Sequence, residues 1–107
     1  MHHWLFLGGA ILLEVAGTIS MKLSEGFTKL APSILLFLFY LASFVLLTFA
    51  LKKIEVSVAY TIWAGVGTAL IAIIGIMYFK EAATAIKFMS ILLIIIGVIG
   101  LSQEIYR

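Results

Sequence analysis

Charged residues divide the chain into four apolar runs. Residues 4–21 carry no charge except Glu14, and a polar connection with Lys22, Ser24, Glu25, Gly26 and Lys29 follows. Residues 30–51 are uncharged, Lys52, Lys53 and Glu55 interrupt, and residues 56–79 are uncharged again. Lys80 and Glu81 mark a tight turn before the last run, 88–103. Crossing about 30 Å of hydrocarbon takes about 20 apolar residues in a helix. The first three runs have that length. The fourth is short, so its helix is placed from Thr84, with the Lys87 stem reaching out to the interface. Pro32 falls where the second helix starts, a position that tolerates proline. The pattern predicts an all-α membrane protein, one domain over residues 1–107, with transmembrane helices near 4–21, 32–51, 56–79 and 84–103.

Composition agrees with that solvent. Hydrophobic residues make up 64% of the chain and charged ones 11%. A soluble domain is about half apolar and a quarter charged, and so short a chain has too little interior to hide the excess. The chain has no cysteine and no aspartate, and its two histidines, His2 and His3, adjoin. A catalytic triad or a metal cluster has almost nothing to be built from, so neither enzyme chemistry, a metal nor a cofactor is expected. The net charge of +2 is spread over the connections and forms no basic stripe, which argues against nucleic acid. The first run lacks a basic leader, is broken by Glu14 and precedes three more runs. It reads as a retained helix.

Glu14 is the one acidic residue within these runs. An ionised carboxylate at mid-bilayer costs on the order of 3 kcal/mol, and no Lys or Arg lies at similar depth to pair with it. Desolvation favours the neutral form of a carboxyl, so this position can hold either a proton or a cation. That is the minimum equipment of a proton-coupled transporter. The structural alternative is a permanently neutral Glu joining helices. Leu7, Ala10, Gly17, Thr18 and Met21 share its helix face. The small ones leave room for a neighbouring helix or for a ligand beside the carboxylate.

Aromatic residues recur at depth. Tyr60 and Trp63 share a face of the third helix, continued by Ala64 and Gly67. Tyr40, Ser43, Phe44 and Leu47 share one on the second. Aromatic faces attract cations, although Trp and Tyr also populate membrane interfaces, where Trp4, Tyr78 and Tyr106 fit. Gly65 and Gly67 permit a hinge in the third helix or simple close packing. On the fourth helix, Ile86, Ser90, Leu93, Gly97 and Gly100 form a seam suited to contact between subunits.

The stretches Glu14-Val15-Ala16-Gly17-Thr18 with Met21-Lys22, then Ser24-Glu25-Gly26-Phe27-Thr28, then Ala59 to Gly67, and finally the Gly97 seam, resemble the small multidrug resistance family in order and over the whole chain. The resemblance implies an antiparallel, dual-topology homodimer in a bacterial inner membrane that exchanges protons for lipophilic cations. It places Glu14 at the shared proton and substrate site. Tyr60 and Trp63 fall on its aromatic contacts, Tyr40 and Ser43 on lesser ones, with Gly17 and Thr18 beside the carboxylate. The dimer it implies fits the seam at Ser90, Leu93 and Gly97 read above from helix spacing, and the hinge at Gly65 and Gly67 remains a reading of those glycines alone. Guanidinium-exporting members carry Trp at the place of Gly17, so Gly17 resembles the quaternary ammonium branch. Ser90 stands where glycine is frequent in the seam. The segment Phe49 to Ile54 with Val58-Ala59-Tyr60 also resembles a subunit of a paired polyamine exporter, the alternative expectation. A non-transport assembly subunit is a remoter one. Counting lysines and arginines gives Lys52, Lys53 and Arg107 on one side of four spans, and Lys22, Lys29, Lys80 and Lys87 on the other. So even a balance predicts insertion in both orientations.

Overall fold

The structure, a computed structural model, describes residues 2–103, apart from the side chain of Ser102. Tyr106 and Arg107, assigned above to the interface and to the charge balance, lie outside the described residues. Four helices are present among the described residues: α1 (His2–Leu23), α2 (Leu30–Ala50), α3 (Val56–Met77) and α4 (Ala85–Ser102). The chain divides into two compact units after Ile54, so that α1 and α2 form one and α3 and α4 the other. The helices α1, α2 and α3 are long and apolar enough to cross a membrane, and α4 has a shorter apolar stretch, Ala85–Leu101.

The helix ends follow from local hydrogen bonding. Helix α2 starts two residues ahead of the position read from Pro32. Pro32 then falls in the first turn, where an N–H has no intrahelical acceptor, and the bond from Ser33 N to Lys29 O (3.2 Å) opens the ladder. Helix α3 stops two residues short of the apolar run. Lys80 takes φ 61°, and Glu81 N turns back to donate to Gly75 O at 3.0 Å. Helix α4 is capped by Thr84, whose hydroxyl accepts from Lys87 N at 3.1 Å.

Ser24 organises the first connection. It is 1% exposed. Its hydroxyl donates to Met21 O (2.7 Å) and accepts from Phe27 N (3.2 Å). Its carbonyl accepts from Thr28 N (2.9 Å) and Lys29 N (3.1 Å). These bonds hold Glu25, Gly26 and Phe27 in the left-handed region, at φ 48°, 71° and 69°, where residues other than glycine are uncommon.

Within the first unit, α1 presents Leu7, Ala10, Ile11 and Val15 to the interior, and α2 presents Leu36 and Ala50. Two glycines let the backbones approach. A methyl group at Gly9 would lie 2.9 Å from Leu46 Cδ1, and one at Gly17 would lie 2.9 Å from the Tyr40 ring. In the second unit the close approach is at Gly65, where a methyl would lie 2.6 Å from Val98 Cγ2 and 3.3 Å from Ile94 Cγ2 of α4. Every described side chain of α4 is at least partly exposed. Large apolar side chains are exposed on all four helices, as lipid permits.

Candidate functional site: an acidic residue within the membrane

Glu14 lies near the midpoint of α1 and is half-buried. Thr18, one turn on, donates its hydroxyl to Glu14 Oε1 at 3.0 Å. The same hydroxyl lies 2.7 Å from the Tyr40 hydroxyl of α2. A threonine hydroxyl has one proton to give. With that proton on Glu14, Tyr40 is the donor to Thr18. The three groups form a chain with every O–H pointing toward the carboxylate, so Glu14 is hydrogen-bonded without an ion pair among the described residues. The i, i+4 spacing of Glu14 and Thr18 is the sequence signal for the first link. The second link joins two helices and has no local signal.

Gly17 sits beneath this chain. Its Cα faces the Tyr40 ring, with Phe39 Cβ 3.4 Å from where a Cβ would be. The space that glycine leaves is filled by Tyr40 and is not open cavity. Tyr40 also stacks on Phe44, with ring centroids 6.2 Å apart. Ser43 is fully enclosed and donates to Ala10 O at 2.6 Å. In this structure it pins α2 to α1.

In the second unit Tyr60 and Trp63 meet edge to face, with centroids 5.6 Å apart. Tyr60 is 59% exposed and borders an open groove of about 440 Å³ between α3 and α4, lined also by Ala64, Gly65, Thr68 and Gly97. Helix α3 runs unbroken through Gly65 and Gly67. Gly65 is occupied in packing against α4, and Gly67 is buried. On α4, Ser90 and Gly97 are exposed and Leu93 is 70% exposed. A methyl at Gly97 would meet nothing within 4 Å. No group of three or more His, Cys, Asp or Glu side chains among the described residues is placed to hold a metal.

Sequence reasoning did not anticipate Glu81. Its carboxylate folds back onto the Cα of Gly75, filling the place a side chain there would take. That contact helps bury Gly75, while Met77 at the helix end stays exposed.

Apolar helices with a hydrogen-bonded carboxyl near the middle of the first define an integral membrane protein with a polar centre at membrane depth. The family model described as Small Multidrug Resistance protein matches residues 2–94, and the chain belongs to that family. It is 55% identical over 100 residues to "Uncharacterized membrane protein YvaE" of Bacillus subtilis (strain 168), covering 94% of this chain and 84% of the relative. It is 43% identical over 99 residues to "Multidrug transporter EmrE" of Escherichia coli (strain K12), covering 92% and 90%. A "Guanidinium exporter" of Proteus vulgaris is 38% identical over 98 residues, covering 92% and 94%. The family consists of four-span transporters, and this chain is an all-α protein of that class in the bacterial inner membrane.

Proposed function

We propose that the protein is a proton-coupled antiporter that exports lipophilic or quaternary ammonium cations, working as an antiparallel homodimer. The observation that carries this reading is the chain from Tyr40 through Thr18 to Glu14. It keeps a carboxylate hydrogen-bonded at membrane depth without a fixed positive partner. That carboxylate is free to exchange one cation for another, a proton for an organic ammonium. Because both ligands need the same group, binding one disfavours the other. Release on the proton-rich side follows from that competition. Tyr60 and Trp63 supply aromatic faces for a flat or greasy cation, and the α4 seam at Ser90, Leu93 and Gly97 is the dimer contact.

Gly17 favours this substrate class over guanidinium. A tryptophan, the residue that the resemblance places here in guanidinium exporters, cannot be added without displacing Tyr40. The carboxylate of this chain therefore has a different set of neighbours.

The test is uptake driven by a proton gradient into vesicles of purified protein, comparing a quaternary ammonium, guanidinium and a polyamine. Wild type transports the quaternary ammonium best, and Glu14→Gln abolishes proton-coupled exchange while remaining folded and dimeric. Near-normal exchange by Glu14→Gln removes the basis of the proposal. Transport of the polyamine alone, or only with a second unlike subunit, moves the protein to the paired-exporter alternative.

A further inference from the structure

One end of the first unit carries a second polar feature, remote from Glu14. The start of α1 and the end of α2 border an open pocket of about 410 Å³ lined by His2, His3, Phe6, Phe49, Lys52 and Lys53. Its floor is aromatic: Phe6 and Phe49 lie with ring centroids 5.5 Å apart. Its rim is basic. Lys52 Nζ sits 5.4 Å from the centre of the Phe49 ring, held over the floor by a cation–π contact. The connection that presents the lysines is hydrogen-bonded back onto α2, by Lys52 N to Phe49 O and by Lys53 N to Ala50 O, both 3.2 Å. The lining contains no acid. Glu14 is roughly 16 Å away along α1, and Glu25 lies at the opposite end of the helix pair. Glu55 follows the lysines as the residue that caps α3.

We propose that this pocket binds the phosphate headgroup of an anionic phospholipid. The pocket opens where α1 and α2 leave the hydrocarbon, which is the depth of lipid phosphates. Two lysines and two histidines line it and offer N–H donors to a phosphate. The phenyl floor offers an apolar wall to the glycerol and upper acyl chain. A free phosphate shares the headgroup's charge but has no part to lay on that floor, so the lipid is the better fit to the whole pocket. Substrate export does not need this site. It gives the protein a preference for its surrounding lipid at the end that carries the second connection.

Native mass spectrometry of the purified protein in detergent tests the proposal, with phosphatidylglycerol, phosphatidylcholine and inorganic phosphate as probes. Wild type retains phosphatidylglycerol in preference to phosphatidylcholine, and inorganic phosphate does not displace it. A lysine near an anionic headgroup contributes a factor of about five, so Lys52→Gln with Lys53→Gln weakens phosphatidylglycerol roughly 30-fold. Lys52→Arg with Lys53→Arg keeps the preference, which separates lost charge from lost structure. Lys22→Gln with Lys29→Gln, which removes the same charge from the first connection, also keeps it. Equal retention of the two lipids by wild type overturns the proposal, as does an equal loss in the Lys22 and Lys29 variant. Displacement of phosphatidylglycerol by inorganic phosphate assigns the pocket to a free anion and overturns the lipid.

Discussion

Tyr40 is the residue on which the environment of Glu14 turns, because it closes the hydrogen-bond chain and fills the space over Gly17. Tyr40→Phe keeps the ring and removes the donor to Thr18. One neutral hydrogen bond is worth about 0.5–1.5 kcal/mol, so cation affinity falls about two- to tenfold, measured by calorimetry in detergent. No change would mean that Thr18 alone sets the carboxylate's surroundings. Gly17→Ala puts a methyl 2.9 Å from the Tyr40 ring and forces that ring aside, so its affinity loss should match that of Tyr40→Phe. Gly17→Trp cuts transport of bulky aromatic cations more than that of small ones. Equal loss for every cation would point to broken packing. If a proton and the cation compete for Glu14, as proposed, affinity for a quaternary ammonium falls as pH drops. Binding that stays flat from about pH 5 to about pH 9 would exclude competition at a carboxyl. Glu14 itself was legible in the sequence, because a lone charge in an apolar run has few explanations. The use of the space over Gly17 was not: sequence left it open to a neighbouring helix or a ligand, and in this structure Tyr40, a residue from another helix, occupies it. The Ser43 hydroxyl likewise meets a partner from another helix, donating to the Ala10 carbonyl.

At the scale of elements, the two units are each held by glycine contacts, and glycines in the same helical pattern do different things. Gly65 lies against Val98 and Ile94, while Gly97 meets nothing within 4 Å. Overpacking a tight contact costs about 1–3 kcal/mol. Gly65→Ala should therefore destabilise the α3–α4 pair by that amount in denaturation from detergent. Gly97→Ala should leave that pair unchanged and lower the fraction of dimer if the α4 seam joins subunits. A Gly97 variant that loses monomer stability and keeps full dimerisation would move the interface elsewhere. The four helices could be read from the charges, since each connection carries Lys or Glu. Their ends could not be read as well. α3 ends early because Glu81 N bonds back to Gly75 O, and that bond depends on the left-handed backbone at Lys80. Hydropathy does not encode it. Nor did the sequence separate hinge from packing at Gly65, because both uses ask for the same small residue.

For the whole molecule the open variable is orientation, and loop charge decides it. Four spans place both termini and the second connection on one side, and the first and third connections on the other. The count is Lys52, Lys53 and Arg107 against Lys22, Lys29, Lys80 and Lys87, with acidic residues contributing little. Glu25 has Lys29 as its neighbour at 3.6 Å, on an exposed turn where such a pair is worth little. A balance so close to even gives the membrane insertion machinery almost no preference. On the proposed reading the chain enters in both orientations, and each copy finds an inverted partner. In an inverted pair, the inward-open and outward-open states interconvert by exchange of roles between copies, which suits alternating access. A strongly biased chain would instead need a dedicated partner facing the other way, as the paired-exporter alternative requires. Removing Lys22 and Lys29 leaves the second side with only Lys80 and Lys87. The majority orientation should then place Lys52 and Lys53 in the cytoplasm. Single cysteines introduced in the first and second connections, labelled from one side of intact cells, read the distribution. Wild type labelled in one connection only would end the dual-orientation proposal. A double variant whose distribution did not move would show that loop charge is not what balances the two orientations.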